Sequence, residues 1–317
     1  MKNIKKAIIN TDTDGLLSGL LLHHFCGTEI VGFCDSGEYV WKREGVDWGD
    51  CTFIDMYVVP EKIQTFCNHM IAVDEPHATS LFWNKNKMNP NVDESARFFL
   101  GSYARKFSLA TVHYLLAWLE NYGYDVCASL NLRNTHEGFR CIDVLLRADD
   151  VANNTLHSYR ENSLFWWGKM KEIASNRNGE SRCISSLINY LEAIHNEEIR
   201  MDTLRFKKIF GNWVKNRFGC DSPDGGFKGL NFANCELGEQ AKNYISFLSD
   251  ITTLSSFPLE GEFVCYRGTA NRVELSMEDL EDIKKGVYRN TPLFSYAFVS
   301  MPSSPRHFSY TVNLERV

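Results

Sequence analysis

The chain has 317 residues, of which 44% are hydrophobic, so it is long enough for a sizeable core and two domains are expected. Its formal net charge of −6 argues against a protein that coats nucleic acid through a strongly basic surface, although a local basic groove is compatible with it. Ten scattered cysteines without a CxxC pair, no signal-peptide features and no apolar run of membrane-spanning length predict a reduced, soluble, cytoplasmic protein.

The first half of the chain alternates short apolar runs with segments of helical spacing, a pattern typical of βαβ units and a mostly parallel sheet. KAIIN predicts a first strand, and DGLLSGLLLHHF predicts the helix that follows it. IVGFCDS, CTFIDMY and MIAVDEPH predict a second, third and fourth strand. SLATVHYLLAWLENYG predicts a helix with Ser108 as its N-cap and Gly123 at its end.

Further along, FRCIDVLLRADDVANNTL is compatible with a strand or a helix, and the segment from about Ser158 to Trp213 is helical in character. FGCDSPDGGFKG, rich in Gly, Pro and Asp, predicts a domain boundary. FKGLNFA, GEFVCYRG, FSYAFVS and FSYTVNLERV predict strands, and a capping box from Ser276 to Asp279 predicts a short helix among them.

These elements predict an α/β fold with two consecutive domains. Residues 1–205 would form an N-terminal parallel sheet flanked by helices, including a helical extension, and carry the metal-binding and catalytic residues. Residues 220–317 would form a smaller mixed α/β domain that binds substrate.

Acidic residues stand at the ends of several predicted strands. The carboxyl ends of parallel strands meet at one edge of a sheet, where ligands bind. The acids expected at that edge are Asp12, Asp14, Asp55 and Asp74. Carboxylates crowded together repel one another unless cations are bound, because a buried unpaired anion is costly. Oxygen ligands suit magnesium or manganese, and the nearby imidazole of His77 favours manganese. The pattern therefore predicts a divalent metal site, where a pair of metal ions could activate a water.

Each of these acids also has a structural explanation. Asp12 can be a turn residue, and Asp14 can be the N-cap of a helix that begins at Leu16. A single acid after an apolar run, such as Asp55, is often a strand-end residue in a turn. Asp74 can form an Asx turn before the following proline. Their occurrence in order, at βα spacing, favours the metal site.

A second phosphatase class shares part of the pattern. NTDTDG is similar to the DxDG nucleophile loop of haloacid-dehalogenase-type phosphatases, and Asp149 and Asp150 are similar to their late acidic motif, although both acids can also cap the next helix. That family needs a lysine upstream of the late acids, whereas no lysine lies between Lys106 and Lys169. This alternative predicts an aspartyl-phosphate on Asp12. No GxxxxGK[ST], GxGxxG or GxSxG motif is present.

The same residues resemble the DHH phosphoesterase superfamily, which includes RecJ-type exonucleases, oligoribonucleases, cyclic-dinucleotide phosphodiesterases and manganese inorganic pyrophosphatases. The resemblance rests on NTDTDG with Ser18 in the next helix, FIDMY, IAVDEPH, SLATVHYLLAWL and LLRADDV, and covers about the first 150 residues. It implies two manganese ions, with Asp12 and Asp14 on separate metals and Asp55 bridging them. Asp74 would open the motif that names the family, and Asp149 or Asp150 would complete the site.

Two features depart from the family pattern. DEPH stands where the family has Asp-His-His, so that Glu75 and Pro76 replace the paired histidines and His77 follows late. The GGGH loop common in the family's C-terminal domain is replaced by PDGGFKG. A catalytically degenerate member that binds a nucleotide or a protein without turnover is therefore the main alternative.

The leading expectation is a manganese-dependent phosphoesterase that hydrolyses a phosphate ester in a short oligonucleotide or a nucleotide. His77 would be a metal ligand or a proton donor to the leaving group. The acidic net charge favours a short substrate over long duplexes. Arg147 is a candidate phosphate contact, or else a salt-bridge partner of its acidic neighbours. The candidate substrate-binding residues are Ser18, Arg147, Arg267 and Lys228.

Overall fold

The computed structural model describes residues 4–35, 37–175, 181–220 and 237–317. The strands in these ranges are β1 (Lys6–Asn10), β2 (Glu29–Cys34), β3 (Tyr39–Arg43), β4 (Cys51–Ile54), β5 (Gln64–Phe66), β6 (Lys87–Met88), β7 (Thr135–His136), β8 (Phe139–Arg140), β9 (Phe263–Val273), β10 (Val287–Tyr288), β11 (Thr291–Phe298) and β12 (Phe308–Arg316).

The α-helices in the same ranges are α1 (Thr13–Cys26), α2 (Glu75–Trp83), α3 (Pro90–Asp93), α4 (Phe99–Ser102), α5 (Thr111–Asn121), α6 (Val126–Ser129), α7 (Cys141–Arg147), α8 (Val151–Asn153), α9 (Arg160–Ser175), α10 (Cys183–His195), α11 (Thr203–Phe218), α12 (Glu239–Thr252) and α13 (Met277–Ile283). Short 3-10 turns and one π-helical turn, Asn154–Ser158, join some of them. Among these described helices, none combines the length and the apolar character needed to cross a bilayer.

Contacts divide the chain into two compact units. The first comprises the described parts of Met1–Ile4, Thr11–Ile30 and Ser108–Glu260, and the second comprises Lys5–Asn10, Val31–Phe107 and Gly261–Val317. The units therefore interleave along the chain, whereas the sequence predicted the consecutive ranges 1–205 and 220–317. The difference arises because strands from both ends of the sequence enter one sheet.

The second unit contains a mixed sheet. Within the described residues, ten strands have the order β10-β11-β12-β9-β3-β2-β1-β4-β5-β6. The neighbours β1 and β4, β4 and β5, and β5 and β6 are parallel. The antiparallel neighbours are β2 and β3, β3 and β9, β9 and β12, β11 and β12, and β10 and β11. Apolar residues fill both faces of β1 and β4, as is usual for strands that are covered on both sides. The predicted α/β fold with parallel N-terminal strands is confirmed.

The C-terminal strands correct the predicted architecture. They were expected in a separate smaller domain, but β9, β11 and β12 continue the same sheet. The connection is β3, which the sequence analysis did not predict and which pairs antiparallel with β9 from Tyr39 opposite Arg267 to Arg43 opposite Phe263. The predicted strand FKGLNFA and most of the predicted boundary lie outside the described residues.

The predicted fourth strand is also corrected. Residues Met70 to Val73 are buried and apolar, but they form only an isolated bridge from Met70 to Phe298 rather than a parallel strand. They pack in a core with the C-terminal strands, including Tyr296 and Phe298. The parallel position predicted for this run is taken by β5, which pairs with β4.

In its described residues the first unit is mainly helical and includes the small hairpin of β7 and β8. Helix α5 packs on α1, α9 and α10, and α12 packs on α1 and α11. The largest fully buried side chains of this unit include Trp166, Trp167, Tyr114, Tyr244 and Phe210. The predicted helices α1, α5 and α9 to α11 are confirmed. The run FRCIDVLLRADDVANNTL, compatible with a strand or a helix, begins with the short strand β8 and is helical from Cys141 onwards. Ser108 is not the N-cap of α5, because the helix begins later, after Ala110.

Candidate functional site

The loop that leaves β1 puts both N-terminal aspartates at the beginning of α1. Asp12 is the N-cap, and its Oδ1 accepts a hydrogen bond from the Gly15 backbone N–H at 2.9 Å. The helix therefore begins at Thr13, ahead of the start at Leu16 that the structural alternative assumed. Asp14 lies inside the first turn, where its negative charge is favourable near the N-terminus of the helix.

Asp14 holds the start of a different helix. Its side chain is buried, with 1% of the residue exposed. Oδ2 accepts the Thr111 N–H and Oδ1 accepts the Val112 N–H, both at 2.7 Å. Thr111 and Val112 are the first two residues of α5, and the residue at the N-cap, Ala110, has no side-chain oxygen to satisfy them. Asp14 therefore has a structural role that does not depend on any ligand.

His113 lies in the first turn of α5. It is fully buried, its Nδ1 accepts the Ala110 N–H at 3.2 Å, and burial lowers its pKa to about 3. Below pH 6.5, the ordinary pKa of histidine, the ring is protonated in the unfolded chain but stays neutral in the folded chain. Because the folded state then binds fewer protons, His113 lowers the free energy of unfolding progressively as the pH falls from 6.5 towards 3. Above pH 6.5 this loss of stability is absent.

We expect His113→Gln to weaken the acid sensitivity of the first unit, because glutamine keeps an acceptor at this capping position but does not titrate. Between about pH 6.5 and 4.5, the free energy of unfolding of the wild type should fall by up to about 3 kcal/mol more than that of the variant. Denaturant titrations at several pH values measure this difference, with His195→Gln, at an exposed position of α10, as control. Parallel pH profiles for wild type and His113→Gln would contradict it.

Tyr244 of α12 contacts Thr13, the helical residue between the two aspartates. Its hydroxyl lies 2.7 Å from Thr13 Oγ1 in a buried hydrogen bond. Burial raises the pKa of Tyr244. The negative charge of Asp12 raises this pKa further, and the positive charge of Arg147 lowers it. Neither α12 nor this tyrosine was predicted from the sequence, although the apolar spacing from Ala241 through Tyr244 to Leu248 is a helical signal.

The late acids lie on a short turn, Ala148–Asp150, that packs against α1. Asp149 and Asp150 both have left-handed backbone angles, with φ of 50° and 55°. Asp150 accepts a hydrogen bond from Arg147 Nη1 at 2.7 Å and also pairs with Lys207 of α11. Although Asp150 stands before α8, its side chain makes no cap hydrogen bond there. Arg147 is thus a buried salt-bridge partner, as its alternative explanation stated.

In the second unit, Asp55 follows directly after β4, as predicted. It is 1% exposed and has φ of 61°, an unusual conformation for a residue other than glycine. Ile9 of β1 pairs with Ile54 of β4, so Asn10 and Asp55 leave two parallel strands at the same level. Asn10 Nδ2 donates to Asp55 Oδ2 at 2.9 Å.

An imidazole that the sequence analysis missed lies beside Asp55. His69 Nε2 is 3.6 Å from Asp55 Oδ1, and the side chain of His69 is 37% exposed. His69 comes shortly after β5, the next parallel strand. Its position after a parallel strand was the available signal, but MIAVDEPH was the predicted strand, and His77 was therefore the predicted imidazole.

Asp74 is the N-cap of α2 rather than the last residue of a strand. Its Oδ1 accepts the His77 N–H at 3.0 Å, and its Oδ2 lies 2.5 Å from Lys284 Nζ. Burial raises the pKa of the Asp74 carboxyl, but the hydrogen bonds from Lys284 and His77 outweigh that effect and lower the pKa overall. A lysine ammonium therefore neutralises the carboxylate that the resemblance assigns to a metal.

The His77 ring does not suit the role of metal ligand in this arrangement. Its Nδ1 accepts the Val73 N–H at 3.2 Å, and burial lowers its pKa to about 4. The ring is therefore neutral at pH 7, and we assign its proton to Nε2, which leaves no lone pair for a metal. A neutral ring also lacks the acidity of an imidazolium proton donor. Its Nε2–H can still donate a hydrogen bond.

The other candidate substrate contacts lie on different elements. Ser18 is completely buried within α1. Arg267 lies on β9 with its side chain 56% exposed, and it pairs with Glu38 Oε2 at 3.2 Å. Lys228 lies outside the described residues.

Among the described parts of the chain, no three or more His, Cys, Asp or Glu side chains are grouped so that they could hold a metal ion. No protein-family model, curated protein or solved structure matches this chain. Function is therefore inferred from the residues described above and from the motifs of the sequence.

Proposed function

We propose that this chain is a phosphoesterase of the DHH type that hydrolyses a phosphate ester in a short oligonucleotide or a nucleotide with the help of two divalent metal ions, manganese in particular. The observation that carries the proposal is the buried Asp55, which leaves β4 level with Asn10 of the parallel strand β1. A carboxylate at the carboxyl end of a parallel strand stands where open α/β sheets bind their ligands.

The chain that continues from Asn10 supports the same proposal. It enters NTDTDG, where Asp12 and Asp14 follow within the next few residues and open α1. Both backbone strain at Asp55 and the imidazole of His69 beside its carboxylate are typical of functional positions rather than of ordinary strand ends. The proposed location is the cytoplasm, and the acidic net charge favours a short substrate.

The assigned ligands suit a metal by their chemistry only in part. Carboxylate oxygens are hard ligands that manganese accepts, and the resemblance proposes those of Asp12, Asp14 and Asp55. The other assigned ligands fit poorly, because Asp74 and Asp150 are each paired with a lysine and His77 offers no lone pair. When bound, the metals would supply an activated water. The protein's own contribution would include hydrogen-bond donation from His77 Nε2–H to a phosphate oxygen.

Asp12→Asn gives the sharpest test of this proposal. Asparagine caps a helix as well as aspartate does, so the cap on the Gly15 N–H should survive while the negative charge is lost. We expect manganese-dependent hydrolysis of bis-p-nitrophenyl phosphate and of a short RNA to fall at least about 100-fold, with unchanged thermal stability. Metal counting on protein purified without chelator accompanies the assay.

The matched control is Asp202→Asn, the same substitution at the N-cap of α11, where Asp202 Oδ1 accepts the Arg205 N–H at 3.0 Å. This variant should hydrolyse both substrates at the wild-type rate. Absence of hydrolysis by the wild type at saturating manganese, or equal activity of Asp12→Asn and Asp202→Asn, would contradict the proposal.

A second candidate function, a DHH-type module that binds a nucleotide or a protein without turnover, is favoured by the lysines. Lys284 and Lys207 supply positive charge at Asp74 and Asp150, the two carboxylates that would bind metal ions in a DHH-type phosphoesterase. Such a protein would bind a dinucleotide with equal affinity in chelator and in manganese, and would release it unchanged. Calorimetric titration in both conditions, with product analysis, separates the two candidates.

A further inference from the structure

Helix α2 presents two large aromatic side chains on the face that is turned away from the core. Its buried residues are His77, Ala78 and Leu81, which share one side of the helix. Phe82 and Trp83 lie on the other side, 38% and 70% exposed. Outward positions of a surface helix are usually polar. Among the described residues, Trp83 is the most exposed of the large aromatic side chains.

A lysine lies over both rings. Lys85 Nζ is 4.7 Å from the ring centroid of Phe82 and 5.8 Å from that of Trp83. The two rings meet edge to face, with centroids 5.3 Å apart and planes at 78°. Lys85 also donates to the Phe82 carbonyl at 3.5 Å, which keeps the ammonium at the C-terminal end of α2. We call Phe82, Trp83 and Lys85 the aromatic platform.

We propose that the aromatic platform binds single-stranded nucleic acid by stacking its bases. Exposed aromatic rings with an adjacent cation are the combination that single-strand binders use, because every base has a face that stacks and every linkage carries a negative phosphate. Trp83 offers the largest open ring for a base, and Lys85 stands within reach of the adjoining phosphate. Through the aromatic platform, the protein would hold the short oligonucleotide of the proposed function.

Charge distinguishes this occupant from an apolar one. A hydrophobic protein partner or a second copy of the chain would have to desolvate the Lys85 ammonium on docking, whereas a nucleic acid pairs that charge with phosphate. The exposed residues one turn earlier on α2, Thr79 and Ser80, are also polar. The platform is therefore a small cationic and aromatic surface rather than an apolar groove.

The inference rests on the proposed function for its substrate class, but its test requires no hydrolysis. Binding of a fluorescein-labelled uridine hexamer is measured by anisotropy in chelator, next to an abasic chain of the same length. We expect the abasic chain to bind more weakly. We expect Trp83→Leu to weaken hexamer binding roughly ten-fold, and Trp83→Phe to retain most of it, because leucine preserves apolar area but not a stacking ring. Tyr159→Ala, which removes an exposed aromatic side chain in the first unit, should change nothing.

Lys85→Gln tests the charge separately. If Lys85 pairs with one phosphate, the slope of log Kd against log salt should fall by about 0.7. Several results would overturn the inference: no hexamer binding by the wild type, equal binding of Trp83→Leu and Trp83→Phe, or equal binding of the abasic chain. Trp83-dependent binding to anionic phospholipid vesicles without binding to the hexamer would instead identify a membrane contact. If the wild type bound the hexamer but hydrolysed no phosphate ester, the result would count against the proposed activity and not against the aromatic platform.

Discussion

Asp14→Ala should destabilise the first unit by about 3 kcal/mol, because the substitution removes a buried carboxylate that accepts two backbone N–H groups. Both N–H groups at the N-terminus of α5 would lose the carboxylate as their acceptor, and the side chain of Ala110 has no oxygen to replace it. Equilibrium denaturation measures the overall loss. Hydrogen exchange of a peptide covering residues 108–116 locates it, since exchange at Thr111 and Val112 should accelerate.

Asp14→Asn is the matched variant. Its amide oxygen can accept one of the two N–H groups while its amide nitrogen faces the other, so an intermediate loss is expected. Unchanged exchange at Thr111 and Val112 in Asp14→Ala would refute the capping role. The result also affects how activity data are interpreted, because a loss of hydrolysis in an Asp14 variant combines a structural effect with any loss of metal. Asp12 is the cleaner probe of metal binding.

Glu120→Ala should cost the first unit a similar amount, about 3 kcal/mol. Glu120 is buried near the end of α5, and its carboxylate accepts hydrogen bonds at the beginning of α10. The donors are Ser181 Oγ at 2.9 Å and the backbone N–H groups of Arg182, Cys183 and Ile184 at 2.8, 2.6 and 3.3 Å. A carboxylate at a helix N-terminus gains further from the helix dipole. Denaturation and hydrogen exchange over residues 181–187 report the loss.

Glu239→Ala provides the control, because Glu239 has a 79% exposed side chain in the first turn of α12 and its ion pair with Lys242 is screened by solvent. We expect a change within about 0.5 kcal/mol for this variant. Glu120→Gln should lie between Glu120→Ala and the wild type. If Glu120→Ala and Glu239→Ala were equally stable, the hydrogen bonds to the start of α10 would contribute nothing.

The elements that sequence reasoning predicted well are those with strong local signals. KAIIN is an apolar run that ends in a polar loop, and α1 has an acid at its cap and a glycine, Gly27, at its end. The position of Asp55 directly after β4 follows from the same local reasoning. These assignments need no knowledge of distant residues, because strand and helix signals are contained within a few positions.

The partners of the candidate ligands could not be predicted in the same way. Asp14 meets Thr111, and Asp74 meets Lys284, across long stretches of sequence that carry no pairing code. The apolar run from Met70 to Val73 illustrates another limit, since burial alone does not distinguish a strand from an extended core segment. The sequence thus indicated which acids are candidate ligands, but not that an N–H group faces Asp14 or that a lysine faces Asp74.

The interleaving of the two units has a consequence for synthesis on the ribosome. Strand β3 emerges early, yet its antiparallel neighbour β9 is more than 200 residues later, as Tyr39 opposite Arg267 illustrates. The central part of the sheet is therefore a contact of very long sequence separation, which slows folding because loop closure precedes any gain from pairing. Until β9 arrives, the nascent chain carries β3 as an open edge that can pair with other chains. We therefore expect this protein to depend on holding factors during translation more than its helical first unit alone would suggest.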